Sequence, residues 1–400
     1  LAERNIANRK SVISDDRNAS FPKNAKSSPP CISVNRLPHQ LGLKHGAVTN
    51  ACVSQIAPAL PDHNMRIEVN IMKKLLLASA GVLAFGGVAN ANGWPSQLQN
   101  VQDYYAAALA VNVGEVGGNR SMTSTGQEKS AALRGSFLGF RGVANVNQNA
   151  GANSGLQNSV AISYVEGCDC EVASPIFFGP PRGDANSNSV AVNVGQVVGN
   201  TSENTSPLLL APGTKATATM DDAFNGSTGL VQVNQNAGAN SLMQNATALT
   251  SVENIRGIEQ DRDAWAIAVN AGQVTGSGNH STDVKHTAAG NVIGSFNGFQ
   301  GTANVNQNVG ANSLMQNSSA LASITYCNCA IEDLSTTIAA AGNLGSVTGN
   351  HASASLGSAS VGMTNSFNGA TGVTQVSQNA GANSLMQNAV AIGAIYQRTN

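Results

Sequence analysis

Polar and apolar positions alternate with a period of two through a segment that the chain repeats four times. In GTANVNQNVGANS, residues 301–313, Ala303, Val305 and Gln307 fall on one side of an extended chain and Asn304, Asn306 and Asn308 on the other. The first side is mostly apolar, so the segment reads as a strand with one face turned inward. Gly310, Ala311 and Asn312 follow with turn chemistry, since glycine and asparagine accept the positive backbone angle of a tight reversal. An extended pattern then resumes from Met315 to Ile324, with its alternation blurred, so the sequence does not mark which face of this second arm is inside. Helix is disfavoured by the density of Gly, Asn, Ser and Val and by the lack of an apolar stripe at 3.6-residue spacing.

The repeat is long and strict. Its core reads VNQNAGANSGLQN from Val146, VNQNAGANSLMQN from Val233, VNQNVGANSLMQN from Val305 and VSQNAGANSLMQN from Val376. The first glutamines, Gln148, Gln235, Gln307 and Gln378, are spaced 87, 72 and 71 residues apart, and Phe137, Phe224, Phe296 and Phe367 each stand 11 residues upstream. A weaker module precedes each core: AVNVGEVGGN at Ala110, AVNVGQVVGN at Ala191, AVNAGQVTGSGN at Ala268 and AAAGNLGSVTGN at Ala339. No unit is large enough to hold a globular core alone, so the units are expected to stack. The fold class is therefore all-β, a repeat β-solenoid or cross-β stack of short strands. Repeats are placed at 110–167, 189–254, 264–326 and 337–400, with a Pro/Cys linker at 168–188, a linker at 255–263 and a Cys linker at 327–336. Residues 92–109 read as a cap segment or short helix.

Identical amides at matching positions suggest how the units hold together. Stacked at a rung spacing of roughly 4.8 Å, such side chains donate and accept along the stack as continuous ladders. The candidate ladder residues are Gln148, Asn149, Asn153 and Gln157 in the first repeat and Gln235, Asn236, Asn240 and Gln244 in the second. Their equivalents are Gln307, Asn308, Asn312 and Gln316 in the third, and Gln378, Asn379, Asn383 and Gln387 in the fourth. The competing reading places these amides in solvated turns.

The Gln, Gly, Asn, Gln order of Gln307, Gly310, Asn312 and Gln316 resembles the repeats of bacterial functional amyloids, those of curli subunits and of Fap-type fibres. The long units with intervening linkers are similar to the Fap arrangement. The resemblance implies a secreted subunit that self-assembles into extracellular β-rich fibres supporting biofilm or surface attachment.

Export has independent support. MKKLLLASAGVLAFGGVANA, residues 72–91, joins a basic start at Lys73 and Lys74 to an apolar run and an A-x-A pattern at Ala89, Asn90 and Ala91, the layout of a cleaved secretory signal. The apolar run is shorter than the roughly 20 residues a spanning helix needs, so no membrane span is expected after cleavage. Residues 1–71 show none of the repeat chemistry and carry nine Lys or Arg against five Asp or Glu. They are expected to lie upstream of a start at Met72, or to be a disordered leader.

Charge narrows the partners further. Residues 92–400 carry ten Lys or Arg against seventeen Asp or Glu, which argues against nucleic acid. Further copies of the chain are the expected partner, with secretion and nucleator proteins as candidates.

Two C-x-C pairs, Cys168 with Cys170 and Cys327 with Cys329, begin 20 residues after the aligned glutamine of repeats one and three. Disulfides are the default in an oxidising compartment, with a thiolate metal site or free thiols as alternatives. Histidine pairs, nucleophile elbows and phosphate loops of known enzymes are missing from the sequence, and no metal or other cofactor is expected. The composition thus leaves a fibre-forming structural protein, or a monomeric β-solenoid acting as an adhesin or ligand-binding surface.

Overall fold

The structure, a computed structural model, describes residues 104–124, 127–166, 185–205, 214–253, 262–281, 286–327, 335–354 and 357–398. Among these every regular element is a strand. Rung one comprises β1 (Tyr104–Gly117), β2 (Arg120–Ser124), β3 (Glu128–Arg134), β4 (Arg141–Asn149) and β5 (Gly155–Glu166). Rung two follows with β6 (Ala185–Val198), β7 (Thr201–Thr205), β8 (Lys215–Asp221), β9 (Thr228–Asn236) and β10 (Leu242–Glu253). Rung three holds β11 (Arg262–Thr275), β12 (Gly278–Ser281), β13 (His286–Ile293), β14 (Gln300–Asn308) and β15 (Leu314–Cys327). Rung four holds β16 (Ser335–Thr348), β17 (His351–Ala354), β18 (Gly357–Thr364), β19 (Thr371–Asn379) and β20 (Leu385–Arg398).

Equivalent strands of successive rungs pair side by side, giving five four-stranded sheets. All pairings are parallel, and the repeat alignment is the register: Gln148 lies opposite Gln235, Gln235 opposite Gln307, and Gln307 opposite Gln378. The described residues thus form a β-solenoid in which one repeat makes one rung.

Within a rung the strands form layers. β4 and β5 fold back on each other, with Asn158 Nδ2 donating to the Val146 carbonyl at 3.3 Å. β1 and its equivalents cover the other face of β5, where Gln157 Nε2 reaches the Val194 carbonyl at 3.2 Å. β3 covers the other face of β4, with Gln148 Nε2 on the Ala132 carbonyl at 3.0 Å. The β2 position passes the tip of the arch between β4 and β5, where Asn153 Nδ2 bonds the Thr201 carbonyl at 3.0 Å. The fifth strands are therefore covered on both faces over their first halves. This is why their sequence alternation is blurred: Leu242, Met243, Gln244 and Asn245 are all buried.

Small side chains make the layers fit. Between the first and fifth sheets the core is mostly alanine, including Ala191, Ala246, Ala248, Ala266, Ala268 and Ala320. Each such burial contributes about 1 kcal/mol or less, but it recurs in every rung. A second core between the third and fourth sheets is built on Phe224, Phe296, Val233 and Val305. Gly238 shows how tight the stacking is, because a Cβ there would lie 1.8 Å from the Gly310 carbonyl oxygen of the next rung.

Each rung begins earlier than the repeat boundaries read from sequence. β1 starts at Tyr104 rather than Ala110, β6 at Ala185 rather than 189, β11 at Arg262 rather than 264, and β16 at Ser335 rather than 337. The segment 104–109 is strand, not helix, because Ala106, Ala108 and Ala110 pack on the alanine core while Tyr105 and Leu109 face outward. β15 also runs on to Cys327, with its backbone opposite Arg398 of β20. The leader 1–71, the signal segment with Ala89 and Ala91, and Cys168, Cys170 and Cys329 lie outside the described residues.

Candidate functional site

The sequence-selected amides form four columns that run through all four rungs. In the first, Gln235 Nε2 donates to Gln148 Oε1 at 2.6 Å, Gln307 to Gln235 at 3.3 Å and Gln378 to Gln307 at 2.9 Å. The second amide hydrogen of each is used sideways, on the carbonyls of Ala132, Thr219, Asn291 and Gly362 in the facing third sheet. Asn149, Asn236, Asn308 and Asn379 form the second column, each step 2.9 Å. Gln157, Gln244, Gln316 and Gln387 form another, with steps of 2.6, 2.7 and 2.7 Å.

The Asn153 column lies at the arch and runs in the opposite sense. Asn153 donates to Asn240 at 3.2 Å, Asn240 to Asn312 at 3.1 Å and Asn312 to Asn383 at 3.0 Å. All four hold positive φ between 51° and 55°, the conformation that asparagine tolerates at a reversal. Gln235, Gln244, Gln307 and Gln316 are fully buried. A buried amide is tolerated only when bonded, and each net bond is worth about 1 kcal/mol while an unmet group costs about 1–3 kcal/mol. The columns therefore fix register as well as stability.

Further columns were not among the sequence candidates. Asn112, Asn193, Asn270 and Asn343 ladder at 3.0, 2.8 and 3.0 Å between the first and fifth sheets. Asn234 bonds Asn147 at 3.1 Å and Asn306 bonds Asn234 at 3.1 Å between the fourth and fifth sheets. The signal for both was present: an asparagine recurs at the same place in each AVN-type module, and the second residue of the VNQN core is asparagine in three copies and Ser377 in the fourth. Glycine makes room beside the Gln157 column. A Cβ at Gly272 would stand 2.7 Å from Gln244 Oε1 and 3.0 Å from Gln316 Nε2.

An aromatic column accompanies the amides. Phe137, Phe224, Phe296 and Phe367 stack with centroid separations of 4.8, 5.0 and 4.6 Å and planes within 14° of parallel. Each sits at the turn between the third and fourth sheets with φ between 56° and 62°.

Parallel in-register sheets with unbroken amide and aromatic ladders define an amyloid-type solenoid. The chain belongs to the functional amyloid protein FapB/FapC family, which matches residues 87–252 and 196–395. No solved structure matches it. Among the described residues no helix is long and apolar enough to cross a membrane.

Proposed function

We propose that the protein is an exported fibre subunit that assembles by adding rung one of one copy to rung four of another, extending every column across the junction, for biofilm matrix or surface adhesion. The observation that carries this reading is the polarity of the ladders. The Gln148, Asn149 and Gln157 columns donate from higher rungs to lower, so rung one ends them with a donor and rung four with an acceptor. The Asn153 and Asn112 columns run the other way. Each end thus presents a pattern of donors and acceptors complementary to the opposite end and mismatched to its own kind.

Two further features support head-to-tail addition. Rung one carries Glu115, Arg120, Glu128, Lys129, Arg134, Arg141 and Glu166, whereas Arg398 is the one Lys, Arg, Asp or Glu in residues 335–398. Joining opposite ends sets a charged edge against one with a single such residue, which keeps like-charge contact low. Side-chain size also alternates by rung: Phe140, Ser227, Phe299 and Ala370 occupy one turn position, and Asn145, Gln232, Asn304 and Gln375 one column. Placing rung four beneath rung one continues both alternations.

A monomeric adhesin is the second reading, favoured by the charges on rung one, since charged edges discourage strand addition. Against it, Arg120 and Glu128 already pair with Glu203 and Lys215 of rung two at 3.0 Å. The test is electron microscopy and fibre diffraction of the purified protein after incubation. Fibres with a meridional spacing near 4.8 Å are expected, and a chain that stays monomeric at all concentrations and pH values would leave the adhesin reading. N-terminal sequencing of the exported protein, expected to begin at Asn92, tests the secretory route.

A further inference from the structure

The outward face of the first sheet is apolar although no described element covers it. In β1 the outward positions include Leu109, Val111 and Val113, which are 45%, 38% and 49% exposed. Register carries the pattern through the other rungs: Leu109 lies opposite Val190 and Val190 opposite Ile267, while Val113 lies opposite Val194. Trp265, Ile338 and Leu344 extend the exposed apolar surface across rungs three and four. Polar columns border it on both sides, Tyr105 to Asn186 to Asp263 at one edge and Glu115 to Gln196 to Gln273 at the other. An apolar centre with a polar border is the layout of an interface, and contiguous exposed apolar patches of several hundred Å² mark interaction surfaces.

We infer that this face is a lateral docking surface for the same face of a second stack of this chain, related by a two-fold axis, so that two stacks zip together along their length. The inference rests on the fibre reading above and adds a second interface at right angles to the stacking one. Size decides when it acts. Four rungs at about 4.8 Å and seven residues at about 3.3 Å give a face of roughly 450 Å² per copy. A single pair of copies would bury roughly 900 Å² in total, below the approximately 1,200 Å² at which specific complexes begin. Stacking multiplies that area by the number of copies in register. The face is therefore too small to hold two monomers together and large enough to hold two fibres. Side chains favour a flat dry seam: β-branched residues dominate the central columns, and the carboxylates of Glu115 and Asp263 are confined to the two edges.

The experiment compares the full chain with a variant carrying Val111→Thr, Val190→Thr, Val194→Thr, Ile267→Thr and Val269→Thr, which keeps the β-branching of each site and replaces one apolar branch by a hydroxyl. Mass per unit length is measured by scanning transmission electron microscopy, and assembly by thioflavin fluorescence. The unmodified protein should give fibres with twice the mass per length of a single stack, while its soluble form sediments as a monomer. The threonine variant should assemble at a similar rate into fibres of half that mass per length. A second variant, Ile267→Lys alone, should also give single stacks, which guards against a multiple variant that fails to fold. Unmodified fibres that are single stacks, or threonine-variant fibres that remain paired, would overturn the lateral interface while leaving the fibre intact. Single-stack fibres that adsorb to alkyl-coated beads, with adsorption lost in the threonine variant, would overturn it in favour of an apolar surface as the occupant. Failure of every form to make fibres would remove the stacking reading and this one together.

Discussion

The ring of Phe296 lies on that of Phe367 with centroids 4.6 Å apart and planes 4° from parallel, while both residues hold positive φ, 61° and 62°. A bulky side chain in this backbone region is strained by roughly 1–2 kcal/mol, so the stack must more than compensate. Full burial of an aromatic ring contributes about 2–3 kcal/mol, and a good ring pair adds about 0.5–1.5 kcal/mol beyond area. Phe296 is wholly buried and has a neighbour on each side.

Two substitutions separate strain from stacking. Phe296→Ala should destabilise by about 3–5 kcal/mol. Phe296→Asn, which suits positive φ, should recover no more than about 1–2 kcal/mol of that loss. Phe137, at the open side of rung one and 39% exposed, should be worth much less in the monomer. Chemical denaturation of soluble protein measures all three, and near-complete rescue by asparagine would mean that the ring column contributes little.

How much of this was legible in the sequence depends on the layer. The fourth-sheet strands face layers of different polarity, so Val305 and Gln307 alternate with Asn304, Asn306 and Asn308, and the arch at Asn312 announced itself through residues that accept positive φ. The fifth strands hid their faces, because Gln244 and Asn245 point to opposite layers and are equally buried. The start of β1 was hidden by its alanines, which look alike whether they face the core or solvent. Phenylalanine at positive φ has no turn signature at all. Only its fixed distance ahead of each glutamine marked it, and that fixed the column without revealing the reversal.

Replacing Gln148, Gln235, Gln307 and Gln378 together by lysine places like charges at each of the three steps of that column. At about 4.8 Å and an effective dielectric near 20 each adjacent pair costs about 3 kcal/mol. Burying the new charges at positions 235 and 307, where the glutamines are fully buried, adds to that cost. Fibre formation followed by thioflavin should be abolished or slowed at least tenfold. Four lysines replacing Ser174, Ser206, Gln260 and Asn328, between the rungs in sequence, are the control for general solubility and should leave assembly close to normal. Equal assembly by both forms would remove the amide ladder from the mechanism.

Alkaline pH should weaken the stack through Tyr164. Its hydroxyl donates to Glu253 Oε2 at 3.1 Å, and desolvation, followed by that hydrogen bond and the charges of Glu253 and Glu166, raises the phenol from its usual 10 to about 12. Because the folded form holds the proton more tightly, its contribution is complete below pH 10 and is lost as pH rises from 10 to about 12. Tyr164→Phe should flatten the decline of stability in that window. The difference in phenolate absorbance between the two proteins gives the midpoint directly, and a midpoint near 10 would contradict the assignment.

The glycines of the arch give the sharpest test of how copies meet. A Cβ at Gly310 would lie 1.8 Å from the Gly381 carbonyl oxygen of the rung that follows, so Gly310→Ala must move backbone inside the molecule. It should cost about 3 kcal/mol or more of stability and lower both folding and assembly. Gly381 occupies the same position in rung four, where a Cβ meets only Ser384 Oγ at 3.2 Å and Asn379 Oδ1 at 3.5 Å. Gly381→Ala should therefore leave the isolated chain close to its normal stability. If Gly151 of another copy sits on rung four as Gly381 sits on rung three, however, that methyl group meets its carbonyl oxygen and elongation stops. The variant should then fold, fail to form fibres alone, and act below equimolar amounts as a terminator when mixed with unmodified protein. Growth of Gly381→Ala at the unmodified rate would show that rung four is not the surface to which the next copy adds.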